Sequence, residues 1–67
     1  MEIVCGDWKA KKDVRCRMGV SVFTVPERAI VNVSQFDSER RKVLVSAGPR
    51  DIDWLPLNFL DDFEPVI

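Results

Sequence analysis

The sequence predicts a small all-β domain of five short strands joined by tight turns. Three observations carry this expectation. Apolar and polar residues alternate with a period of two, no stretch sustains a 3.6-residue period over three turns, and turn residues recur between the alternating runs. A chain of 67 residues has room for one core, and a domain this small buries only about 60% of the surface its unfolded chain exposes. With 46% hydrophobic and 31% charged residues it is too apolar for a disordered tail. Residues 1–67 are therefore expected to form one domain that folds alone or as a small homo-oligomer.

Residues 1–13 either add a strand at Ile3–Cys5 or form an arm. Val14 and Cys16 then alternate with Arg15 and Arg17, and Val20 and Val22 with Ser21 and Phe23. The clearest unit is Ala29-Ile-Val-Asn-Val-Ser-Gln-Phe36, a turn opened by Asp37-Ser38, and Arg41-Lys-Val-Leu-Val-Ser-Ala47. This reads as a β-hairpin. Setting Val31 and Val33 opposite Val45 and Val43 gives one apolar face, with Asn32, Ser34, Lys42 and Ser46 on the other. That pairing implies an odd number of loop residues, hence a five-residue loop or a bulge. Gly48-Pro49-Arg50-Asp51 is a second turn, and Ile52 to Leu55 a short strand. Pro56 fixes φ at a value that opens a single 3₁₀ turn over Pro56–Leu60. Asp62 to Ile67 returns as the terminal strand, with Pro65 tolerated at a sheet edge.

From Val14 onward this order resembles the SH3-like small barrel, the bacterial-type SH3 domain most of all. Val25-Pro-Glu-Arg-Ala-Ile-Val-Asn-Val33 is similar to the family's Val-Pro-x-Gly-x-x-Val-x-Val stretch, and Lys42-Val-Leu-Val-Ser-Ala-Gly48 to its third strand. Ile52-Asp-Trp-Leu-Pro-Leu-Asn-Phe-Leu60 resembles the ending Gly-Trp-Ile-Pro-Ser-Asn-Tyr-Val, in which Pro opens a 3₁₀ turn. The departures are specific. Arg28 and Asp53 stand where the family has Gly, Arg41-Lys42 where an aromatic opens the third strand, and residues 19–28 hold a single acid, Glu27. The resemblance implies a five-stranded, partly open SH3-like barrel with a 3₁₀ turn before the last strand. The expected core includes Val14, Cys16, Val31, Val33, Val43, Val45, Leu55 and Leu60. Carried over residue by residue, Trp54, Pro56 and Phe59 fall on ligand-groove positions, beside Asp53. Simple alternation, by contrast, pairs Ile52 with Trp54 and Asp53 with Leu55.

Chemistry is sparse. The chain has no histidine, its three glycines are isolated, and Cys5 and Cys16 are its only cysteines. Neither a four-ligand zinc site nor an activated nucleophile is expected, so no cofactor, no metal and no catalysis are predicted. The two thiols read as small buried hydrophobes rather than a disulfide. No apolar run is long enough to span a bilayer, and Met1-Glu-Ile-Val-Cys5 has no leader-like pattern, so a cytoplasmic location is expected.

Charge is divided. Residues 1–50 carry ten bases against six acids, a net of +4, and residues 51–67 carry five acids and no base, a net of −5. Such asymmetry marks either a binding surface or two halves that attract each other. Three functions follow. The first is a module or adaptor for a protein or peptide partner, using Trp54, Pro56, Phe59 and Asp53, with Asp51, Asp61 and Asp62 completing an acidic rim suited to a basic partner. The second is nucleic-acid binding through a basic rim of Lys9, Lys11, Lys12, Arg40, Arg41 and Lys42 with Trp8 as a stacking platform; against it, the pI of 5.2 lacks the usual basic footprint. The third, implied by the resemblance alone, is attachment to cell-wall glycan.

Overall fold

The computed structural model describes residues 3–66. The period-two segments do form strands: β1 (Gly6–Ala10), β2 (Val14–Met18), β3 (Ser21–Val25), β4 (Ile30–Asp37), β5 (Lys42–Ser46), β6 (Ile52–Pro56) and β7 (Phe63–Pro65). A 3₁₀ helix over Leu57–Asp62 precedes β7, with Pro56 at its N-cap at φ −57°. The molecule is all-β, with a five-stranded antiparallel sheet in the order β6-β5-β4-β1-β7 and a separate β2–β3 hairpin. The two sheets do not close into a barrel. Among the described residues no helix is long and apolar enough to cross a membrane.

Among the described residues the strands number seven rather than the expected five, with residues 6–10 adding one and the alternating runs from Val14 onward forming two separate strands, 14–18 and 21–25. The N-terminal strand is not Ile3–Cys5. It begins at Gly6 and lies inside the sheet, where Trp8 pairs with Val31 on one side and Pro65 on the other. Trp8 and Ala10 alternate inward between Asp7, Lys9 and Lys11, and both are buried. The terminal strand covers only Phe63–Pro65, and Pro65 sits on an edge, where its missing N–H costs no ladder bond. Ile67 lies outside the described residues.

The hairpin of β4 and β5 has the expected faces but another register. Val33 lies opposite Val45 and Phe36 opposite Val43, and Ser34 is the extra residue of a bulge. The bulge changes the parity, so a four-residue loop, 38–41, connects Asp37 to Lys42 while Val31, Val33, Val43 and Val45 all stay inside. These four valines form the centre of one core with Trp8, Ala10, Leu55, Leu60 and Phe63, closed from the other side by Val14, Met18 and Val25 of the hairpin. Cys16 is only half-buried against it, and Cys5 is exposed; both thiols are free. Cys5 therefore does not serve as a core hydrophobe.

The turn into β4 holds a local strain. Ala29 N donates to Pro26 O at 3.0 Å, and Arg28, third in that turn, has φ +73°. A left-handed backbone costs a side-chain-bearing residue about 1–2 kcal/mol relative to glycine's freedom there. Glycine in turn loses more entropy on folding. Arg28→Gly keeps the backbone bond from Arg28 N to Ala10 O, and is expected to raise stability by about 0.5–1 kcal/mol. Urea denaturation of the two proteins checks this; an unchanged or lower midpoint would contradict it.

Candidate functional site

The exposed face of β6 is built by alternation. Leu55 turns into the core, so Ile52, Trp54 and Pro56 turn out, opposite Ser46, Leu44 and Lys42 of β5. Alternation thus runs unbroken through Pro56, and Leu55 is buried without any break in it. Trp54 keeps 40% of its surface exposed.

The β4–β5 turn supplies the wall beside it. Asp37 Oδ1 accepts the backbone N–H groups of Glu39 and Arg40, each at 3.1 Å, which fixes the turn as an Asx-type cap. Arg40, Asp37, Lys42 and Trp54 then line a hollow of about 280 Å³. Arg41, at φ +54°, completes the turn, and its carbonyl accepts Leu57 N at 2.9 Å. This bond ties the turn to the 3₁₀ helix. A second, more open groove of about 370 Å³ runs over Arg41, Pro56, Leu57, Asn58 and Asp61. Lys42 lines the first hollow and its cross-strand partner Pro56 the second, so the two adjoin.

The other residues singled out from sequence are placed differently. Phe59 is half-buried and packs on Phe63, ring centroids 4.8 Å apart and tilted by 30°. Asp53 faces away from Trp54, beside Leu55. Its Oδ2 accepts Gly19 N and its Oδ1 accepts Trp54 N, both at 2.8 Å, which pins the tip of the β2–β3 hairpin to β6. Asp62 pairs with Lys12 and Glu64 with Lys9, each at 3.4 Å. Much of the acidic segment is thus engaged with the chain itself, and Trp54 is walled by two bases and one acid.

The basic residues do not form one rim. Lys9 pairs with Ile30 at the start of β4, and Lys42 with Asp37 at its end. Trp8 is 8% exposed, and its Nε1 donates to Val4 O at 2.8 Å, so its ring is not available to stack on a base. Lys11 is exposed.

Burial, with the charge of Asp51 adding to it, pushes the Cys16 thiol up and keeps it protonated. Among the described residues no three or more Cys, Asp or Glu stand together where they could hold a metal ion. The chain matches no family model, no curated protein and no solved structure.

The two amide bonds to Asp53, from Gly19 first and then Trp54, hold its carboxyl below the ordinary aspartate range, with Lys42 adding to the effect. A carboxylate whose folded pKa is depressed contributes stability above its unfolded value of about 4 and loses it as pH falls through the folded value. Acidification is therefore expected to loosen the hairpin tip only below about pH 4. Hydrogen exchange at the Gly19 amide reads this directly. Asp53→Ala should show fast Gly19 exchange at neutral pH; equal protection in both proteins would refute the anchoring role.

Proposed function

We propose that this chain is an SH3-like small barrel acting as a non-catalytic binding module for a protein or peptide partner, with the Trp54–Pro56 face as its contact surface. The fold part of this reading is supported by the position where Arg28 replaces the family's glycine. That position has φ +73°, a conformation in which glycine is favoured. It is supported too by the 3₁₀ helix that follows Pro56 and leads into the last strand.

The exposure of Trp54 carries the functional part. A 67-residue chain with few large side chains for its core leaves an indole 40% exposed beside a hollow. Large aromatics in such places, rimmed by polar groups, dominate the energetics of protein interfaces. Pull-down from lysate with and without nuclease, using wild type and Trp54→Ala, tests the reading. A nuclease-resistant partner lost from the variant is expected. Loss of all captured material to nuclease would favour nucleic acid instead.

A further inference from the structure

The hollow beside Trp54 is lined by two bases, Arg40 and Lys42, and one acid, Asp37. Among the described residues Asp37 is its one acidic wall, and two amide bonds to Oδ1 and a long 4.0 Å contact between Oδ2 and Arg40 Nε engage that carboxylate. The Arg40 side chain is 81% exposed, and an exposed pair at that distance contributes almost nothing. Among the described residues Lys42 takes part in no ion pair. Of the acids of the C-terminal segment, Asp62 pairs with Lys12 and Glu64 with Lys9, while Asp53, held by two backbone amides, makes no ion pair with Lys42 and acts on it only at longer range.

We propose that this hollow takes an acidic peptide segment, in which an Asp or Glu carboxylate lies between Lys42 and Arg40 and a neighbouring apolar side chain covers the Trp54 indole. This rests on the peptide-binding reading above and reverses the charge expected of the partner from composition alone. Charge complementarity selects the occupant: two cations at the edge of an aromatic surface steer an anionic ligand and fix its orientation. At about 280 Å³ the space suits one or two side chains rather than a buried small molecule. A nucleic acid strand would need a continuous basic track with stacking rings. Here the second basic group lies at the far end of β4, two of its lysines are paired, and Trp8 is buried.

The experiment is an NMR titration of the full chain, read at the Trp54 indole N–H and the Arg40 and Lys42 amides. The probes are short synthetic peptides sharing a central Leu-Pro pair and differing only in flanks of Glu, Ser or Lys, together with oligothymidylate. The Glu-flanked peptide is expected to shift the Trp54 indole at the lowest concentration, with affinity falling as salt rises. Replacing Arg40 and Lys42 together by Gln should weaken that binding by about tenfold or more while melting temperature holds, since both side chains are exposed and no like charges are set opposite each other. A preference for the Lys-flanked or Ser-flanked peptide, or an unchanged affinity in the double variant, overturns the acidic assignment and leaves peptide binding standing. No response of Trp54 to any peptide, or a stronger response to oligothymidylate, overturns both.

Discussion

Replacing Trp8 by alanine is expected to leave most of this protein unfolded at room temperature. Trp8 lies inside the five-stranded sheet, between Val31 of β4 and Pro65 of β7, and it is one of the largest side chains in the core. Its indole N–H is satisfied by Val4 O, so truncation removes the packing and also leaves the segment before β1 without that tie. Large-to-small changes of this kind cost about 3–5 kcal/mol. At roughly 0.05–0.15 kcal/mol per residue, the whole stability of so short a chain is about 3–10 kcal/mol. The two are comparable, so the folded population collapses. Far-UV circular dichroism and urea denaturation of Trp8→Ala and Trp8→Phe check it, with the phenylalanine variant retaining the fold at reduced stability. An alanine variant with the wild-type urea midpoint would place Trp8 outside the core.

Trp54→Ala is expected to do the opposite: the protein stays folded and loses its partner. The side chain stands on the outer face of β6 with Leu44 across from it, and its removal opens no internal cavity. A surface truncation of this sort changes stability by about 1 kcal/mol or less. If Trp54 is the centre of the contact surface, its loss removes about 2 kcal/mol or more of binding energy. That is roughly a thirtyfold weakening. Measuring the urea midpoint beside the affinity for the Glu-flanked peptide separates the two quantities. An unfolded variant would return Trp54 to the core, and a folded variant with unchanged affinity would remove it from the binding surface.

The paired tryptophans also show where reading the chain succeeds and where it stops. Around Trp8 the neighbours Lys9, Lys11 and Lys12 suggest a basic rim, yet Trp8 and Ala10 already alternate with charged residues as a half-buried strand does. The alternation was the better guide. Around Trp54 the period of two puts Ile52, Trp54 and Pro56 on one face. It says nothing about whether another element covers that face. The charge division between residues 1–50 and 51–67 is likewise legible, but its meaning is not. Contacts such as Lys9 to Glu64 and Lys12 to Asp62 turn part of it into internal pairing, while Arg40 keeps only a long contact to Asp37 and Lys42 makes no ion pair among the described residues.

By itself the sequence determined that this protein is all-β, that Val31, Val33, Val43 and Val45 share a buried face, and that Pro56 opens a 3₁₀ helix. These follow from alternation and from the fixed φ of proline, which act over a few residues. Only the tertiary structure decided for the bulge over the longer loop and placed it at Ser34, and it alone decided the register this sets, the entry of Gly6–Ala10 into the sheet and the left-handed backbone at Arg28. The reason is range. A two-residue period is compatible with several registers and neighbours, and the choice among them is made by burial summed over strands distant in sequence. The hollow at Trp54 arises from that same choice, because the register across β4, β5 and β6 brings Asp37, Arg40 and Lys42 beside the indole.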